Sequence, residues 1–334
     1  MRSYTKQRAN GPKEVAVEAH LDPEALHEVL APWQEQNLQG VVHLLGCETC
    51  QRLALAVLER PPGEEDARSE PGYAALTGPV MLQAAKALAL CDELLAMDGD
   101  QRRKAITQPR FSNLFLAELL LEESERVAGA APEESAELAH LVFELGGSIG
   151  AVESGAWLEE VLARSCCLLG DARRLLGDLA GAEGWLRNAV GFLADCPSPP
   201  VRAAFCLALA QLRDEQDRPA EAETLLWRAA GIYRDLGYRV SHGECLCRLG
   251  FLALKQVAFA RASSILIRSW LLLSADRSPV FALRAGLGLA VCLAALGQRE
   301  PAQRLLAELI RGVLSHLETF LAKWEKNLER GLTS

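Results

Sequence analysis

Long apolar runs are missing from this 334-residue sequence. No stretch reaches the roughly 18 uncharged apolar residues that a membrane-spanning helix needs, so a membrane is not an expected partner. The opening segment, MRSYTKQRANGPKEVAVEAH, is basic but leads into no apolar stretch, so it does not read as a secretory signal. Positive charge is also short: 35 Lys and Arg stand against 44 Asp and Glu, a net charge of −9. Phosphate binding wants a basic face, so nucleic acid is not an expected partner. The motifs of the common enzyme classes are absent too. There is no P-loop, dinucleotide fingerprint, nucleophile elbow or H-E-x-x-H. The adjacent pairs Glu122-Glu123, Glu133-Glu134 and Glu159-Glu160 fall on expected helices and read as solvated faces. No catalytic residue is expected, and the chain does not read as an enzyme.

Cysteine is not scarce. Several of the ten fall inside helical patterns, among them Cys166, Cys167, Cys206, Cys245, Cys247 and Cys292. Free cysteine is a common small core residue where the compartment is reducing, so a cytoplasmic protein without structural disulfides is expected.

The strongest positive signal is a period. Ala182, Ala222, Ala262 and Ala302 stand 40 residues apart. Twelve residues before each is a small residue (Gly170, Ala210, Gly250, Ala290), preceded by a leucine (Leu169, Leu209, Leu249, Leu289). Another leucine follows four residues after each alanine: Leu186, Leu226, Leu266, Leu306. A fixed period of this size marks stacked helical hairpins. The small residues let two helix backbones approach, and the leucines fill the seam between them. A turn residue stands five before each marker: Gly177, Asp217, Val257, Gly297.

These residues resemble the tetratricopeptide repeat, which places Leu-Gly in its first helix and Ala at the start of its second. Leu169-Gly170 and Leu249-Gly250 match that pair outright, and the segments 177–182 and 297–302 resemble the turn that leads to the alanine. The period departs from the family's 34, so the helices or turns must be longer. HEAT-like stacking is the structural alternative. The resemblance implies a surface for protein partners.

The chain therefore divides into a flexible N-terminus (1–19), a small helical module (20–60), a Pro-, Gly- and acid-rich linker (61–79), degenerate hairpins (80–150) and the solenoid (151–334) with a C-terminal capping helix. Gly146–Gly150 reads as a hinge. The fold class is all-α, a helical-hairpin solenoid with a three-helix module ahead of it.

One constellation in that module carries metal chemistry. His43-Leu-Leu-Gly-Cys47-Glu-Thr-Cys50 is an H-x3-C-x2-C array. Two sulfurs at a helix start and a histidine ending the preceding helix can converge on one point, where Zn²⁺ takes four N or S ligands. His20 and His27 are both candidates for the fourth. The stretch His20–Leu58 resembles the zinc-binding domain of bacterial anti-sigma factors. That resemblance implies the ligand set His20, His43, Cys47 and Cys50, and a closed structural zinc. It also implies an alternative function, a transcriptional regulator that sequesters a sigma factor. Elsewhere, Arg173 and Arg213 occupy equivalent places one repeat apart and are candidates to line a groove for an acidic peptide. His242, Cys245 and Cys247 read as core.

Overall fold

The computed structural model describes residues 21, 29–30, 38–58, 78–150, 155–195, 198–275 and 279–331. The N-terminal segment 1–19, His20, His27 and the linker up to residue 77 lie outside the described residues. Among the described residues every regular element is a helix.

The module contributes α1 (Leu38–Gly46) and α2 (Glu48–Leu58). After the linker come α3 (Gly78–Leu95) and the short α4 (Gly99–Ala105), where Asp98 and Gln101 form a capping box. A 3₁₀ turn, Pro109–Phe111, leads to α5 (Leu114–Val127), whose first free amides are capped by Asn113. Helix α6 (Pro132–Gly150) packs back on α5. Gly146–Gly150 is therefore helix rather than hinge. Gly146 stands where the Leu162 side chain of the next helix would collide with any Cβ, so glycine here serves close approach.

Four hairpins follow: α7 (Ala156–Leu175) with α8 (Leu179–Asp195), α9 (Pro199–Glu215) with α10 (Pro219–Asp235), α11 (Arg239–Lys255) with α12 (Phe259–Ala275), and α13 (Pro279–Ala295) with α14 (Arg299–Gly331). The second helices start at 179, 219, 259 and 299, so the 40-residue period is the hairpin period. The marker alanines are buried in all four hairpins. A Cβ at Gly170 would lie 2.8 Å from Cγ of Leu186 in the facing helix. Each hairpin packs on the one before it, and the two helices of each pack on each other. The last hairpin helix and the expected capping helix are one continuous element of 33 residues.

Helices α1 and α2 pack on α12, and α1 also touches α14. Val41, Leu44, Cys50 and Ala54 join the same core as Leu266, Ile267 and Leu271. This accounts for the burial of α12. Residues Ala262 to Leu273 are buried on every side, with Ser263, Ser264, Arg268 and Ser269 among the apolar residues.

Candidate metal centre and helix-lined groove

His43 lies in the last turn of α1, Cys47 between the two module helices, and Cys50 in the first turn of α2. The break between α1 and α2 is one residue long because the backbone nearly continues. The Cys47 amide still donates to the His43 carbonyl at 3.0 Å, and the Gln51 side-chain amide donates to the Leu44 carbonyl at 2.7 Å. This tight corner brings the three donor atoms within 4.8 Å of one another, with His43 Nε2 at 3.2 Å from Cys50 Sγ. Donors on a tetrahedral zinc, at about 2.0–2.3 Å from the metal, stand roughly 3.5–3.8 Å apart. The three donors are near enough to converge on such an ion after shifts of about an ångström. Cys50 is fully buried, and burial raises its thiol above the ordinary range, while a hydrogen bond from the Leu21 backbone opposes the rise. That bond ties Leu21, the chain neighbour of position 20, to the cysteine pair.

The first helices of successive hairpins share a ladder of polar contacts. Arg174 of α7 pairs with Asp171 and with Glu215 of α9, and donates to Gln211 at 3.2 Å. Gln211 in turn accepts from Arg248 of α11 at 2.7 Å, and Lys255 reaches Asp214 at 2.6 Å. Arg213 is spent within this framework. Its guanidinium crosses to Glu183 of α8 at 3.1 Å and to Glu221 of α10 at 3.5 Å. Arg213 and Gln216 together hold the Glu183 carboxyl down to about 2.

Arg173 has a different setting. It is half-exposed, 3.8 Å from Asp178, and lines a cavity of about 400 Å³ between α4, α6 and α7. Arg103, Glu133, Glu137 and His140 supply the other charged or titratable groups of that wall, and Leu141 and Leu169 its floor. Glu137 Oε1 is buried without a hydrogen bond, with Arg102 Nη1 at 3.5 Å. The two arginines equivalent in the repeat therefore do not share one groove. Arg103 and His140 escaped sequence reasoning because the groove joins three helices distant along the chain, and no repeat position marks them. His242, Cys245 and Cys247 are buried, as expected of core residues.

No family model matches the chain. No curated protein matches it either. Among solved structures it is similar to BtubC (BKLC) from P. vanneervenii, at a TM-score of 0.54 and 16% identity, over 71% of this chain and 91% of that one. It is also similar to a putative kinesin light chain with nearly identical TPR-like repeats from Podosopora anserina, at a TM-score of 0.44 and 21% identity, over 60% and 95%.

The fold is a TPR-like helical solenoid.

The TPR-like half accounts for Leu169-Gly170 and Leu249-Gly250 at the hairpin seams. Among the described residues no helix is long and apolar enough to cross a membrane.

Proposed function

We propose that the protein is a non-enzymatic scaffold that holds protein partners on its TPR-like surface. The observation that carries this reading is the open groove between α4, α6 and α7, where Arg103, His140 and Arg173 stand with Glu133 and Glu137 around an apolar floor. Arg103 and Arg173 would exchange their exposed contacts with Asp100 and Asp178 for the carboxylates of an acidic peptide, gripped by paired, charge-assisted hydrogen bonds. Residues 20–60 form a second unit, tied by zinc. His43, Cys47 and Cys50 would hold the ion, and the Leu21 contact supports His20 as the fourth ligand. Four protein ligands leave no position for water, so the ion would serve folding.

Two measurements test this. A fluorescent glutamate-rich peptide titrated into the protein should bind, and Arg103→Ala with Arg173→Ala should weaken it at least tenfold; unchanged affinity rules out the groove. Metal analysis should find one zinc per chain, lost in Cys47→Ser with Cys50→Ser and in His20→Ala but kept in His27→Ala. Protein purified without chelator and free of zinc would end the metal reading.

A further inference from the structure

The hairpin stack ends on a face shaped to receive another hairpin. Within the stack, Phe251, Leu266 and Trp270 receive α13: a Cβ on Gly288 would lie 3.2 Å from Phe251 Cζ and 3.0 Å from Leu266 Cδ1, and one on Gly286 would lie 3.3 Å from Trp270 Cδ1. One period later the same positions are Val291, Leu306 and Ile310. All three are apolar, and they are 55%, 37% and 59% exposed. A solenoid normally closes with a polar outer face. This one presents its receiving residues to water, with the module already in place.

A fifth hairpin in the same register cannot cover them. Helices α8, α10 and α12 stop after 17 residues, at 195, 235 and 275. Helix α14 should then stop near 315, yet it continues to Gly331. The exposed stripe continues along it through Val313 and Leu314. In the sequence Leu317, Phe320 and Trp324 follow, so the apolar series 306, 310, 313, 317, 320, 324 alternates steps of four and three. That spacing is the 3.5-residue period of helices that pair along a seam.

We propose that this end face pairs with the same face of a second copy of the chain, α14 against α14 about a two-fold axis. A seam of 3.5-residue period needs a helical partner of the same period, and a second copy carries one at equal concentration. Pairing of identical patches closes on itself. The size fits as well. At 1.5 Å per residue and about 10 Å of width, α13 and α14 together offer roughly 750 Å², close to the ~800 Å² per partner of a stable complex.

Sedimentation equilibrium of the full chain tests the pairing. The expected mass is twice 36.3 kDa. Ile310→Glu should weaken the dimer at least a hundredfold, and Val291→Lys, on the neighbouring helix, should act in the same direction. Val190→Glu, exposed on α8 away from this end, should leave the dimer intact. Circular dichroism reports whether each variant keeps its helices; if Ile310→Glu loses them, Val291→Lys decides. A monomer at about 100 μM, a hundredfold above a micromolar dissociation constant, overturns the proposal. A dimer that survives both end-face variants overturns it, and so do open-ended filaments.

Discussion

At the residue scale, the hairpin corners show how one position imposes its conformation on whatever residue stands there. Gly177, Asp217, Val257 and Gly297 all have positive φ, at 81°, 58°, 59° and 80°. Each closes a Schellman motif: the Val257 amide donates to the Leu254 carbonyl at 2.9 Å and the Ala258 amide to the Ala253 carbonyl at 3.0 Å. Glycine adopts this geometry freely, aspartate tolerates it, and a β-branched residue is strained by it. Val257 is also largely exposed and returns little burial. Val257→Gly should therefore raise the unfolding free energy by about 1 kcal/mol, measured in urea; a loss of stability would show that the turn is not strained. The turn register was legible in the sequence, but its handedness was not, because Asp and Val do not announce a left-handed backbone. The thiols obey the same local logic. Burial pushes Cys166, Cys245 and Cys292 up to about 12, so they act as apolar fillers rather than nucleophiles.

At the element scale, α12 differs from its sister helices. Helices α8 and α10 keep an exposed edge, whereas α12 is enclosed by α11, α13 and the module. Its run ASSILIRSWLLLS keeps Arg268 and four serines, so it did not announce that its outer face is covered. The covering element turned out to lie more than 200 residues away, and such pairings leave no local trace. Leu44 is fully buried in the shared core. Leu44→Ala should cost about 2–5 kcal/mol at that site. Hydrogen exchange should then speed up in α1 and α2 while α7–α10 keep their protection; uniform loss across the chain would mean that the module and the first hairpins unfold as one unit.

At the scale of the whole molecule, one buried imidazole links the stack to pH. His242 is held down to about 4, first by burial and then by Arg268 and Arg234, with Asp235 pulling the other way. The unfolded chain takes up this proton near pH 6.5, and the folded chain resists until about pH 4. Above pH 6.5 the group has no effect on stability. Below it the unfolded state binds more protons, so stability falls progressively between 6.5 and 4, by roughly 3 kcal/mol in all. His242→Gln should flatten that part of the stability–pH curve, followed by chemical denaturation at several pH values. An unaltered slope would assign the acid loss to other groups. Because each hairpin is stabilised by its neighbours, the effect should appear in the main unfolding transition rather than in a local one.

The amino-acid order alone determined the hairpin period, the seam residues and the corner positions, because each repeats a local steric requirement every 40 residues. It also placed His43, Cys47 and Cys50 close enough along the chain that any helix–corner–helix path must bring them together. Only the tertiary structure decided which arginine faces a groove and which is tied between helices. Arg173 and Arg213 are equivalent in register, but carboxylates on neighbouring helices hold one and leave the other at a groove. The docking of the module on α12 and the bare apolar end of the stack were decided there too. Contacts between distant segments depend on which surfaces remain uncovered once the hairpins have stacked, and no local pattern encodes that remainder.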